Sequence, residues 1–207
     1  MNKMEAFVTR FFLLLFPLIF FVSCGFDSST GTPPLSAEEF CRQGWEYYEN
    51  TEYIKAIDSF DAAIGLKDTW AEGFIGKGWT YIRLNAWPNA YAALFLAEER
   101  LTAIDLRLNV GRAIVALFYN DHQTIVDLLS DHIQGTDHWV HNHDSSIDAV
   151  DLHNLLAEAY ILQHNYGDET TSEVNELSAW GQVKKSLELN PADTKALELQ
   201  SYLRERI

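Results

Sequence analysis

The sequence predicts an all-α fold, a solenoid of stacked helical hairpins. Three observations support this prediction. Residues 37–104 contain two copies of one pattern at a constant offset of 34 residues, without a gap. Helix start signals lie where the helices of these copies should begin. No strand pattern competes with the helical one. Because one hairpin cannot bury its apolar face alone, the copies must stack on each other.

The start signals are capping pairs and one proline. Ser36 with Glu39, and Thr69 with Glu72, have the spacing of capping boxes and predict the starts of the first helices. Pro88 lies where the first turn of a second helix is expected, a position that tolerates proline because the missing N–H has no helical partner there. The same order of elements is therefore predicted for both copies.

The repeat places small and large residues where two antiparallel helices must meet. A small residue lets the first helix approach its partner, and a large side chain fills the space between repeats. The matched pairs are Phe40 and Phe74, Gly44 and Gly78, Trp45 and Trp79, Tyr47 and Tyr81, Ala56 and Ala90, Phe60 and Leu94, and Ala63 and Ala97.

These positions resemble the tetratricopeptide-repeat (TPR) pattern, with a bulky residue at the fourth place, a small one at the eighth, tyrosine at the eleventh and alanine at the twentieth. The resemblance implies a right-handed α–α superhelical solenoid of about three and a half to four TPR-like hairpins plus a C-terminal capping helix. The expected units are repeats at about 37–70 and 71–104, a degraded unit at 105–133, an interrupted unit at 149–191 and a cap at 192–207.

The two later units depart from the pattern. In the third, Ala113 and Ala116 take the small places, and Ile125 stands where alanine is expected. In the fourth, Tyr160 and Ala179 are 19 residues apart, whereas Tyr47 and Ala56 are 9 apart. About ten residues near 166–173 are therefore predicted to be inserted in the turn of the fourth hairpin.

The N-terminus reads as a secretory signal. Lys3 and Arg10 precede a 12-residue apolar run at 11–22, too short for a membrane-spanning helix, and Ser23 precedes Cys24. Residues 21–24 resemble a bacterial lipobox, which implies a signal peptide at 1–23, lipidation of Cys24 and a flexible tether over 24–35, ahead of the domain at 36–207. A plain cleaved signal is the alternative. We expect a lipid anchor in the cell envelope, on the outer membrane facing the periplasm in a Gram-negative cell.

The charge limits the partners. A formal net charge of −15 disfavours nucleic acid and electrostatic docking on anionic lipids. Such a charge also simply keeps a protein soluble. No nucleophile elbow, phosphate-binding glycine loop or zinc-protease motif is present, so we predict no enzyme activity, no cofactor and no small-molecule substrate.

The resemblance implies a binding groove lined by the first helices. Aromatic side chains there suit an apolar peptide or a helix, although packing within the core explains the two tryptophans equally well. Whether the groove is open or filled by the inserts near 137–144 and 167–173 stays undecided at this point. The groove positions, carried over one by one, are Trp45, Tyr48, Glu49, Ile75, Trp79, Ile82 and Arg83, with Glu38, Cys41 and Glu72 at its other places.

A histidine cluster provides the alternative function. His138, His141 and His143 lie close together and Asp144 follows, residue types that bind zinc, copper or nickel. The spacing matches no known metal-site pattern, and a solvated loop explains it as well. The sequence therefore predicts a membrane-tethered protein-interaction module, a scaffold or assembly factor that binds through the groove, with a metal-binding lipoprotein as the alternative and a passive spacer as a third interpretation.

Overall fold

The computed structural model describes residues 34–174 and 176–206. Over this part of the chain the fold is a series of α-helices with one small antiparallel sheet. The first four helices are α1 (Ala37–Glu49), α2 (Tyr53–Leu66), α3 (Ala71–Arg83) and α4 (Trp87–Glu98). They are followed by α5 (Leu106–Phe118), α6 (His122–Leu129), β1 (Val140–His141), β2 (Asp144–Asp148), α7 (Ala149–Leu162), α8 (Ala179–Leu189) and α9 (Thr194–Arg204).

Consecutive helices pair as hairpins through one recurring turn. In each turn a backbone N–H bonds to a carbonyl five residues earlier, near the end of the first helix, at 2.8–2.9 Å. The residue before each donor has a positive φ of 55–60°, which asparagine tolerates better than most residues. The turns are therefore equivalent, and they align the carbonyls of Tyr47, Tyr81, Ala116 and Tyr160 as one structural position.

Small residues let the paired helices touch. A Cβ atom on Gly44 would lie 2.6 Å from the ring of Phe60, and one on Gly78 would lie 2.5 Å from Leu94. Both large side chains are fully buried. The small first-helix residue therefore meets the large second-helix side chain of its own hairpin in both repeats.

The fourth hairpin carries its insertion without disturbing the turn. The backbone N–H of Ala179 donates to the carbonyl of Asn165 at 3.0 Å, and that of Trp180 donates to Tyr166 at 2.9 Å. Residues 167–178 therefore leave the hairpin and return to the same point. The second helix begins at Ala179 rather than near residue 174, because the Ser178 side chain caps it.

Two expectations from the sequence are wrong. Thr69 does not cap α3: the N-cap residue is Trp70, which makes no side-chain capping bond, and the Glu72 carboxylate is bonded to groove side chains instead. Strands are present, since residues 140–148 form a two-stranded antiparallel sheet between the third and fourth hairpins.

Within the described ranges, none of the helices combines the length and apolar character needed to cross a membrane. Cys24, the predicted signal peptide and the tether as far as residue 33 lie outside the described residues.

Candidate functional site

The first helices of the first two repeats, α1 and α3, carry the predicted groove residues, and a short β-hairpin lies against them. We call this segment, Val140–Asp148, the insert hairpin. Its base is closed by a hydrogen bond from the Ala149 backbone N–H to the Trp139 carbonyl at 3.0 Å. Asp137, which precedes the insert hairpin, accepts a hydrogen bond from the buried Lys185 ammonium at 2.7 Å, and this bond links the segment to α8. The insert hairpin is thus held at its base by the fourth repeat while its tip reaches the first two.

Imidazole rings of the insert hairpin pack on the two groove tryptophans. His143 stacks on Trp45 with ring centroids 4.1 Å apart and planes 10° apart. His141 lies tilted over Trp79 at 4.3 Å, and its edge faces Trp45 at 5.9 Å. As a result Trp45 and Trp79 are only 4% and 0% exposed. The two predicted groove tryptophans are therefore covered by the insert hairpin.

A polar cluster holds the tip of the insert hairpin. The Tyr48 hydroxyl donates to the Asp144 carboxylate at 2.9 Å, and the Arg83 guanidinium forms an ion pair with the same carboxylate. Arg83 also donates to the Ser146 hydroxyl at 2.9 Å. Burial alone would raise the pKa of Asp144, but hydrogen bonds from the Ser146 hydroxyl, the Arg83 guanidinium and the Tyr48 hydroxyl outweigh it and hold that pKa below its ordinary value. The carboxylate is therefore bound as an anion.

Glu49 adds a contact at the end of α1. Its carboxylate lies 2.7 Å from Nδ1 of His143, the ring that stacks on Trp45. With this contact, five of the seven predicted groove residues bind the insert hairpin directly: Trp45, Tyr48, Glu49, Trp79 and Arg83.

His141 is the most enclosed residue of the insert hairpin. It is 1% exposed, its Nδ1 accepts the backbone N–H of His143 at 3.2 Å, and its Nε2 has no hydrogen-bond partner. Burial, followed by the positive groups nearby, lowers the pKa of His141 to about 4. The ring is consequently neutral at physiological pH.

Charged side chains form the floor of the groove. The Glu72 carboxylate accepts the indole N–H of Trp45 at 2.8 Å and two guanidinium N–H groups of Arg107 at 3.0 and 2.9 Å. Arg107 also donates to Asp105 at 2.6 Å, and its backbone carbonyl accepts the indole N–H of Trp79 at 3.2 Å. Both groove tryptophans are therefore fixed by hydrogen bonds as well as by packing.

Of the other predicted groove residues, Glu38 is exposed and pairs with Lys67, whereas three are buried. Ile75 and Ile82 are buried in the core. Cys41 is buried too, and burial together with the nearby carboxylates raises the pKa of its thiol to about 12. The assignment of all seven residues to a peptide-binding groove stays a prediction, now with the insert hairpin as the segment that occupies it.

The predicted metal ligands do not converge. His138 is exposed, and the rings of His141 and His143 are 6.3 Å apart between centroids. His143 and Asp144 are each engaged by groove residues instead. In the described part of the chain no group of three or more His, Cys, Asp or Glu side chains could hold a metal ion. Metal binding by His138, His141, His143 and Asp144 therefore stays a prediction without support from this geometry.

Sequence reasoning missed Ser146, Asp105 and Arg107 as parts of the site. These residues come from the insert and from the degraded third unit, where the repeat pattern no longer assigns places.

No protein-family model and no curated protein matches this sequence. Among solved structures, a thermophilic TPR protein of Thermus thermophilus is 15% identical with a TM-score of 0.52, over 84% of this chain and 82% of that one. The Arabidopsis OM64 TPR domain is 12% identical with a TM-score of 0.41, over 83% of this chain and 96% of that one. YrrB, described as a TPR protein with an unusual peptide-binding site, is 13% identical with a TM-score of 0.45, over 80% of this chain and 92% of that one. The first of these likenesses confirms the all-α TPR fold that the sequence resemblance implied.

Proposed function

We propose that this TPR domain is a membrane-tethered protein-interaction module, a scaffold or assembly factor, whose aromatic groove binds a protein or peptide once the insert hairpin has left it. The observation that carries the proposal is the insert hairpin itself. It occupies the groove with stacked rings and a bound carboxylate, which shows what kind of segment the groove side chains accommodate. The proposed role is binding, and no catalytic step is assigned.

The chemistry of the partner follows from that of the insert hairpin. The groove offers two indole faces, which suit flat or apolar side chains of a partner. Next to these faces, the Tyr48 hydroxyl and the Arg83 guanidinium can bind a carboxylate of the partner. We therefore infer that the partner presents a segment in which a flat side chain lies next to an aspartate or glutamate.

A peptide copied from the chain tests this inference. The probe is residues 138–148, HWVHNHDSSID, and the receptor is the protein carrying His141→Ala, His143→Ala and Asp144→Ala, which removes the insert side chains that cover Trp45 and Trp79 and that bind Tyr48 and Arg83. We expect a dissociation constant on the order of 10 µM by isothermal titration calorimetry. The unaltered protein should bind the peptide at least about tenfold more weakly, because its own insert hairpin competes.

Two altered peptides provide the controls. A peptide with Asp144→Asn loses the charge-assisted bonds and should bind about tenfold more weakly. A peptide with Ser145→Ala should bind as the parent does, because Ser145 is exposed. Equal binding to both receptors, or an Asp144→Asn peptide as tight as the parent, would contradict the groove assignment. The receptor with Asp144→Asn alone repeats the comparison with a smaller perturbation of the fold.

Natural partners can be recognised by competition. The receptor with a freed groove is used to capture proteins from envelope extracts, and the captured protein is challenged with the HWVHNHDSSID peptide. A groove partner should be displaced by this peptide and unaffected by the Asp144→Asn version. A protein that stays bound in both cases uses another surface.

Membrane tethering is part of the proposal and rests on the lipobox resemblance at residues 21–24. Two or three acyl chains hold a protein on a bilayer firmly, because each buried methylene contributes about 0.8 kcal/mol. We expect the protein to fractionate with membranes and to incorporate labelled palmitate, and Cys24→Ala to abolish both. Membrane association that persists in Cys24→Ala would contradict the lipid anchor.

A further inference from the structure

A second candidate surface lies at the junction of the second and third hairpins and uses none of the groove residues. A cavity of about 350 Å³ opens between α4, α5 and the start of α6. Tyr91 and Phe95 of α4, Arg112 and Tyr119 at α5, and Asp121 at the start of α6 are among its lining residues. Neither the repeat pattern nor the proposed groove function accounts for it.

The cavity lies where the third hairpin has an alanine in place of the tyrosine of the first two repeats. The eleventh residue of the first helix is Tyr47 in α1, Tyr81 in α3 and Ala116 in α5. The recurring turn hydrogen bond, accepted by the carbonyl of this residue, confirms the equivalence. Ala116 lines the cavity, so the place where the first two repeats carry a tyrosine ring is open in the third.

Aromatic rings surround this opening and stay exposed. Tyr91 is 57% exposed, Phe95 45% and Tyr119 49%. The rings of Tyr91 and Tyr119 are 6.5 Å apart at an interplanar angle of 81°, so they present faces in two directions. Exposed aromatic side chains clustered around a pocket mark a ligand site more often than scattered ones do.

The cavity lining carries one guanidinium, Arg112, and one carboxylate, Asp121. Arg112 is paired with Glu98, which offsets its positive charge. The Asp121 carboxylate accepts the backbone N–H and the hydroxyl of Thr124, and among the described residues it forms no ion pair with a lysine or arginine. Those two hydrogen bonds hold its pKa below the ordinary value, so Asp121 stays ionised. Aromatic faces beside an unpaired carboxylate attract a cation.

We propose that this cavity binds a lysine or arginine side chain of a partner protein, with the cation over the rings of Tyr91 and Tyr119 and its charge balanced by Asp121. The alkyl part of such a side chain fits the apolar lining, and its charge complements a chain with a net charge of −15. The cavity is a contact site independent of the groove, so it remains available whether the insert hairpin is docked or released.

The test compares two peptides that differ in charge alone. Acetyl-Gly-Ser-Arg-Ser-Gly-amide and its twin, in which neutral citrulline replaces arginine, are titrated into the full protein, and the aromatic resonances of Tyr91, Phe95 and Tyr119 are followed by NMR. We expect the arginine peptide to bind with a dissociation constant on the order of 1 mM and the twin at least about fivefold more weakly.

Variants place the binding in the cavity. Ala116→Tyr restores the ring of the first two repeats and should abolish binding. Asp121→Asn removes the charge, keeps a good helix cap and should weaken binding about fivefold. Asp127→Asn, an exposed aspartate on the same helix outside the cavity, is the matched control and should leave binding unchanged.

Three results would overturn the proposal. One is equal binding of the arginine and citrulline peptides, which would mean that charge is not recognised. Another is arginine binding that survives Ala116→Tyr and Asp121→Asn, which would place it elsewhere on the acidic surface. The third is no shift of the three aromatic residues at millimolar peptide.

Discussion

The burial of His141 predicts that the protein loses stability on mild acidification. In the unfolded chain the imidazole has its ordinary pKa of 6.5, whereas burial lowers the pKa to about 4 in the folded protein. The neighbouring His143 lowers it further, and Asp144 partly opposes the shift. Protons therefore bind the unfolded state more readily, and the free energy of unfolding must fall as the pH falls below 6.5.

The magnitude follows from the two pKa values. Each pH unit between them changes the free energy of unfolding by about 1.4 kcal/mol. From pH 6.5 to pH 5 the loss is about 2 kcal/mol, and it stops at about 3 kcal/mol near pH 4, where the folded protein also binds the proton. Above pH 7 this residue contributes no further pH dependence.

Urea unfolding followed by tryptophan fluorescence measures this loss between about pH 7.5 and pH 5. The comparison protein carries His141→Phe, which keeps a flat ring against Trp79 and cannot titrate. The unaltered protein should lose about 2 kcal/mol more than His141→Phe over this range. His138→Phe, at an exposed histidine, should behave as the unaltered protein does. The buried His153 titrates in all three proteins, so the difference isolates His141. Parallel curves for the unaltered protein and His141→Phe would refute the reasoning.

Three further predictions concern packing and reactivity. Gly76→Ala should lower the free energy of unfolding by about 1–3 kcal/mol, because the new Cβ atom would lie 2.3 Å from the Phe60 ring. Gly65→Ala, in an open part of α2, is the control and should be neutral or stabilise the protein by about 0.5–1 kcal/mol. Urea titrations at neutral pH measure both. Glu72→Gln should cost about 1–3 kcal/mol in the same assay, since a carboxylate shared by an indole and a guanidinium becomes a neutral amide, and an unchanged stability would contradict the role given to it. Cys41, with its pKa raised to about 12, should resist iodoacetamide at pH 8 in the native protein and react once urea unfolds it, as peptide mass spectrometry will show.

The repeating part of the fold was predictable because its contacts are local and periodic. The offset of 34 residues fixes which residues of the two repeats are equivalent, so the contact of Gly44 with Phe60 and that of Gly78 with Leu94 are the same contact in successive repeats. The Thr69 capping box failed for a reason visible only in three dimensions. Glu72, the residue that would complete the box, instead accepts hydrogen bonds from Trp45 and Arg107 of the neighbouring repeats.

The contacts between the insert hairpin and the groove residues were not predictable, because they do not repeat along the sequence. His143 and Trp45 are 98 residues apart in the chain, and no local preference brings an imidazole onto a particular indole. The resemblance named five of the side chains that meet the insert hairpin without indicating that the chain itself would cover them. The cavity at Ala116 was also not predicted from the sequence. In a degraded repeat, alanine in place of the expected tyrosine indicates only that the pattern has been lost, and it does not indicate a cavity.

Under the proposed function, the insert hairpin sets the affinity that a groove partner can reach. A partner meets an open groove only in the fraction of molecules whose insert hairpin is released, and its apparent dissociation constant is the intrinsic one divided by that fraction. Each 1.4 kcal/mol of docking energy therefore weakens the apparent affinity about tenfold. Protonation of His141 acts on the same equilibrium, since the released imidazole has its ordinary pKa of 6.5 and the docked one a pKa of about 4. At pH 5 this protonation weakens docking of the insert hairpin by about 2 kcal/mol, which increases the released fraction by a factor of about 30. The residue that closes the groove most tightly is thus also the one through which acidification favours its opening.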